Sequence, residues 1–152
     1  MPIPASLADR AGALLTIAAR TGQEMAGKRL APMGLTVRLC GVLILLAKGP
    51  ISQQELGEQL GIDRTTIVEL IDDLEQQGMV VRRRNAADRR SYALVLTPKG
   101  RAFQKRAAKA FEAAADEFFD ALKPTERQLL SDMMRRLIVA ADVKLGKTPK
   151  LS

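Results

Sequence analysis

The sequence predicts a mainly α-helical chain that carries one small β-hairpin, with long helices before and after it. Three observations lead there. Apolar residues recur at helical spacing through most of the chain, and capping residues and glycines divide that pattern into six helices. Only between Gly78 and Thr97 does the pattern change to β-type runs.

Ser6 is expected to cap the first helix, whose positions Leu14, Ile17, Ala18, Thr21 and Met25 continue until Pro32 and Gly34 break it. Thr36 caps a second, from Val37 to about Ala47, which is apolar nearly all round through Leu39, Val42, Leu43, Leu45 and Leu46. A helix with so little polar face is buried. Ser52-Gln53-Gln54-Glu55 reads as a capping box opening a short third helix, with Leu56 and Leu60, that stops at Gly61. Asp63 caps a fourth, in which Ile67, Leu70, Ile71 and Leu74 form one apolar stripe before Gly78 at the C′ position. Two helices joined by a tight glycine turn make a helix-turn-helix.

Met79 to Arg84 and Ser91 to Leu96 are β-type runs separated by the polar stretch Asn85 to Arg90, which gives a hairpin with an arginine-rich tip. Thr97 and Pro98 take the N-cap and N1 positions of a long fifth helix through Phe103, Ala107, Phe111, Phe118 and Leu122. Pro124 begins a sixth, expected to place Leu129, Leu130, Met133, Met134, Leu137, Ile138 and Ala141 inside. Lys123 is a poor N-cap, so this start is weak. Gly146 ends the helix, and residues 147–152 are expected to form a disordered tail.

At 152 residues, with 47% apolar and 27% charged residues, the chain has the composition of one globular folding unit with a real core. Its 24 Lys and Arg against 17 Asp and Glu leave a charge of +7, which favours a polyanionic partner. One cysteine and no histidine exclude a disulfide framework and the usual Cys/His zinc site, so neither metal nor cofactor is expected. Neither a Gly-rich phosphate loop nor a nucleophile elbow is present, and no enzymatic activity is expected. The start lacks the pattern of a signal peptide, and the longest apolar run, Leu39 to Ala47, is too short for a bilayer. A cytoplasmic protein without membrane contact is expected.

An exposed helix N-terminus presents unpaired amides and the positive end of the helix dipole, so it suits the major groove of duplex DNA. The fourth helix has this character, with Arg64, Thr65, Thr66, Val68 and Glu69 as candidate contacts. Arg64 can reach guanine O6 and N7, a threonine methyl can meet that of thymine, and Glu69 can accept from cytosine N4. Asp72, Asp73 and Glu75 would be repelled by phosphates, which limits contact to the first two turns. Ser52 and Gln53, opening the third helix, are candidate DNA-backbone contacts. Arg82 to Arg90 holds five arginines against one acid, a clustering that suits a narrow minor groove. The candidate wing residues are Arg84, Asp88, Arg89 and Arg90. An RNA-binding or protein-interaction module on the same winged fold is the alternative, although aromatic residues are only 3% and single-stranded readers need aromatic platforms.

Five segments resemble, in register, the multiple-antibiotic-resistance-regulator (MarR) family: Gly34-Leu35-Thr36, Ser52-Gln53-Gln54-Glu55-Leu56, Gly78-Met79-Val80-Val81-Arg82, Asp88-Arg89-Arg90-Ser91 and Leu96-Thr97-Pro98-Lys99-Gly100. The resemblance implies a winged helix-turn-helix transcriptional regulator, with residues 36–98 as the DNA-binding lobe and 6–32 and 99–146 as dimerisation helices. It further implies a homodimer on an inverted-repeat operator, repression as the common mode, and a small anionic or aromatic effector bound where the dimer region meets the lobe. Within the wing it implies that Arg90 enters the groove while Asp88 orients the loop. Arg20 and Arg38 border that junction as candidate effector-pocket residues, with ordinary surface ion pairing as the alternative. Some relatives sense oxidants through a cysteine in the first helix. This chain has none there, and Cys40, inside the run Leu39 to Leu46, reads as a small buried hydrophobe.

Overall fold

Side-chain caps set most of the helix starts. The computed structural model describes residues 6, 10–86, 88 and 90–148. Its elements are α1 (Ala11–Leu30), a 3₁₀ turn (Ala31–Met33), α2 (Val37–Leu46), β1 (Ile51–Ser52), α3 (Gln53–Leu60), α4 (Arg64–Gln76), β2 (Val80–Arg84), β3 (Tyr92–Leu96), α5 (Pro98–Phe118) and α6 (Pro124–Lys144). Thr36 accepts from the Leu39 N–H at 3.2 Å to start α2, Ser52 from Glu55 at 3.1 Å to start α3, and Thr97 from Gly100 at 3.0 Å to start α5. Each bond satisfies an amide that a helix end would otherwise leave unpaired.

The chain is mainly helical with a small antiparallel sheet, as predicted, but the sheet has three strands in the order β1-β3-β2. The expected hairpin is β2 and β3, registered from Val80 opposite Leu96 to Arg84 opposite Tyr92. The additional strand, β1, pairs Ile51 with Leu94 and Ser52 with Ala93. Two residues are too few for a visible alternation, so this strand exists only through a partner some forty residues away.

Three local expectations are corrected. Ser6 is itself helical, and the start of α1 falls after Arg10, which is extended and makes no side-chain cap bond. The capping box of α3 is half formed, because the Glu55 carboxylate accepts from Gln59 Nε2 at 3.2 Å, one turn on. Lys123 starts α6 more firmly than its side chain would allow, since the Glu126 carboxylate accepts its backbone N–H at 2.8 Å.

The chain divides into two compact units, Met1–Ala115 and Asp116–Ser152. The core of the first joins Leu30, Leu39, Val42, Leu43, Leu56, Ile67, Ile71, Leu74, Val80, Leu94 and Ala107, so α1 to α5 and the sheet share one apolar interior. In the second, Arg127 donates to the Leu122 carbonyl and pairs with Asp116 at 3.4 Å, while Phe118 and Phe119 meet edge to face. None of the α6 residues is buried, and Leu129 and Leu137 are 59% and 61% exposed. The expectation that this apolar stripe lies inside therefore fails for the single chain: helical spacing makes a stripe, but only a covering surface buries it. Among the described residues no single helix is long and apolar enough to cross a membrane.

Candidate nucleic-acid interface

The α3–α4 turn is made by backbone. α3 ends at Gly61, and the Ile62 N–H returns to the Gly57 carbonyl at 2.9 Å. Asp63 then receives the Thr66 hydroxyl at 2.6 Å and the Thr66 N–H at 2.9 Å, and these two bonds hold its carboxyl below the ordinary aspartate range. The α4 N-terminus is thereby fixed with Arg64 and Thr65 exposed at its first two positions. Thr66 is half-buried, its hydroxyl engaged by the cap. Val68 is half-buried and Glu69 exposed. A groove between α3 and the start of α4 is lined by Gln53 and Arg64, so the structure brings one candidate backbone contact and one candidate base contact to the same surface. Ser52, committed to its cap, is half-buried.

The far end of α4 is tied to the sheet. Gly78 takes φ +71°, a conformation that disfavours any side chain, and the Met79 N–H reaches back to the Leu74 carbonyl at 2.9 Å. The segment Leu96 to Gly100 then locks the corner. Thr97 donates its hydroxyl to the Gly78 carbonyl at 2.7 Å and its N–H to Met79 at 3.0 Å, and Lys99 Nζ donates to the Gln77 carbonyl at 2.7 Å. Gly100 allows the approach, because a Cβ there would lie 2.0 Å from the Met79 oxygen. The local sequence foretells the Thr97 cap of α5 but not these bonds to Gln77, Gly78 and Met79, some twenty residues earlier.

In the hairpin, Arg82 is not a tip arginine. It donates to Asp72 Oδ1 at 2.8 Å, to Glu75 Oε2 and to Gln53 Oε1 at 3.4 Å. Arg83, Arg84 and Arg90 are exposed, with Arg84 opposite Tyr92 at the last strand pair. Arg89 lies outside the described residues. The Asp88 carboxylate accepts the Arg90 N–H at 2.9 Å, its carbonyl accepts the Ser91 N–H at 3.1 Å, and the Ser91 carbonyl accepts Asn85 at 2.9 Å. Asp88 thus folds the tip and leaves the Arg90 side chain in solvent.

Arg20 and Arg38 are both exposed. Arg20 lies ten residues before the end of α1, about 15 Å of helix rise, whereas Arg38 is in the first turn of α2. Cys40 is fully buried, its Sγ 3.8 Å from the Ala107 carbonyl, and burial pushes its thiol pKa up.

An exposed, capped second helix, a brace helix before it and an arginine-tipped hairpin after it define a winged helix-turn-helix of the DNA-binding kind. Residues 33–91 match the model of the MarR family. The chain is 31% identical to the transcriptional repressor MprA of Escherichia coli (strain K12), over 78% of this chain and 69% of that protein. The structure of CouR bound to a 23-mer DNA duplex superposes with a TM-score of 0.80 at 34% identity, covering 90% of this chain and 98% of that one. CouR from Rhodococcus jostii RHA1 bound to p-coumaroyl-CoA gives 0.79 at 30%, covering 86% and 93%. A Thauera aromatica protein described as a transcriptional regulator for the hcr operon is 34% identical over 68% of this chain, which spans 63% of that protein's length. The chain belongs to the MarR family of transcriptional regulators, which are not enzymes.

Proposed function

We propose that this regulator is a ligand-responsive repressor that binds an inverted-repeat operator as a homodimer. The observation that carries the reading is the capped, exposed α4 N-terminus with Arg64 and Thr65, followed in the same lobe by the exposed Arg84 and Arg90 of the hairpin. In this reading residues 36–98 are the DNA-binding lobe, Arg64, Thr65, Val68 and Glu69 face base edges, and Thr66 contributes through the cap. Ser52 and Gln53 meet the backbone, while Arg84, Asp88, Arg89 and Arg90 form the minor-groove wing. Residues 6–32 and 99–146 supply the dimer, which is supported by the exposed Leu129, Met133, Leu137 and Ile138 of α6. MprA and CouR are both named repressors, which supports the direction of control.

The p-coumaroyl-CoA bound by CouR is both aromatic and anionic, the effector chemistry assigned here to the neighbourhood of Arg20 and Arg38. The test combines light scattering with titration of duplexes selected by the protein from a random pool. A dimer selecting inverted repeats about one helical turn apart, roughly 34 Å, supports the proposal, and a monomer holding a single half-site tightly defeats it. CoA thioesters and aromatic carboxylates are then screened for release of the DNA. Equal release from an Arg20→Ala, Arg38→Ala variant removes those residues from the site.

A further inference from the structure

A helix offered to DNA should not be acidic, yet α4 carries one cation, Arg64, against four carboxylates, Glu69, Asp72, Asp73 and Glu75. Thr65, Glu69 and Asp72 stand at i, i+4 and i+7, so Asp72 shares the exposed face of the N-terminal contacts. It lies about 12 Å along the axis from Arg64, little more than a Debye length of roughly 8–10 Å. Salt alone therefore leaves part of its repulsion felt by nearby phosphates.

Arg82 answers this. It projects from β2 onto Asp72 and Glu75, one turn apart on α4, and also reaches Gln53 at the start of α3. Its side chain is only 31% exposed, while those of Asp72 and Glu75 are 50% and 30% exposed. One guanidinium, with its planar set of donors, thus joins wing strand, brace helix and recognition helix.

We propose that Arg82 is a positioning residue for DNA binding: it contacts no nucleic acid itself but masks Asp72 and Glu75, so that a net-negative recognition helix can approach phosphates. The proposal rests on the DNA-binding reading above and assigns within it a role distinct from that of the groove-facing arginines.

The test titrates a fluorescein-labelled duplex, selected by the wild-type chain from a random pool, with Arg82→Met, with Asp72→Asn plus Glu75→Gln, and with all three together, across salt. Arg82→Met should weaken binding by about tenfold or more at low salt, and the gap should narrow as salt screens the bared carboxylates. Neutralising both carboxylates in that background should bring affinity back to within about threefold of wild type, and Arg82→Lys should fall between. A merely structural arginine gives no such recovery, and a phosphate-contacting one lowers the salt slope by about 0.9 without recovery; either result overturns the proposal. If Arg82→Met does not fold, the carboxylate pair variant alone decides: duplex affinity above wild type supports masking, and affinity at or below wild type overturns it. Failure of the wild-type chain to bind any duplex removes the DNA-binding reading itself. Wild-type binding with Arg82→Met equal to it removes only the role of Arg82.

Discussion

Gly100→Ala isolates the corner that fixes the hairpin to the recognition helix. The added Cβ would stand 2.0 Å from the Met79 oxygen, 2.9 Å from its carbonyl carbon and 3.2 Å from Leu96 Cδ2, whereas ordinary contact begins at 3.4 Å. Backbone must therefore separate by about 1.4 Å at a carbonyl that also accepts the Thr97 N–H at 3.0 Å. The Thr97 hydroxyl bond to Gly78 sits at the same point and should open with it. Overpacking costs about 1–3 kcal/mol and each lost hydrogen bond about 0.5–1.5, while replacing a helical glycine by alanine returns up to about 1. The net loss should centre near 3 kcal/mol, read by urea unfolding at fixed protein concentration, since association would otherwise shift the midpoint. Gly27→Ala is the control. A Cβ there meets nothing within 4 Å, so only the propensity gain of up to about 1 kcal/mol should remain. Wild-type stability in Gly100→Ala, or equal losses in both variants, would refute the argument that close approach rather than helix propensity keeps glycine at 100.

Three further outcomes are expected. The Asp63 carboxyl is held below its ordinary value by Thr66, so its charged cap contributes fully above the ordinary aspartate pKa and is lost as pH falls through the lower folded one. Wild type and Asp63→Asn should therefore differ in stability near neutral pH and converge in acid; a difference constant down to about pH 3 would contradict this. Arg64→Ala should relax discrimination at one base pair per half-site by about tenfold, whereas Arg90→Ala should flatten the preference for A·T-rich flanks. Binding by Arg90→Ala as tight as wild type at every salt and flank would make the hairpin tip merely solvated. Cys40, buried with a raised thiol pKa, should alkylate slowly in the native protein and quickly in urea, and equal rates would show the α2 environment to be open.

Local chemistry was legible without a fold. Thr36, Ser52, Asp63 and Thr97 each cap the helix expected of them because a cap bond spans only three residues, and Gly61 and Gly78 end helices through their own φ. The candidate recognition residues follow from the same arithmetic, since Ile67, Ile71 and Leu74 inside dictate Thr65 and Glu69 outside. Where chain context competes, the local rule weakened: Glu55 turned to Gln59, and Ser6 joined a helix rather than capping one.

The sequence by itself determined the order of helices and hairpin, most of their starts and stops, and which faces are apolar, all properties of residues within about two turns of one another. The start of α1, expected at Ser6, and the end of α5, expected at Leu122 but reached at Phe118, are the exceptions. Only tertiary structure decided that Ile51 and Ser52 form a strand, that Arg82 belongs to Asp72 and Glu75 rather than to the tip, and that Gly100 must lack a side chain. Each of these depends on a partner distant in sequence, and a pattern of spacings carries no record of which distant atoms meet. The apolar stripe of α6 shows the same division: spacing predicts that the stripe exists, and only a surface laid against it can bury it.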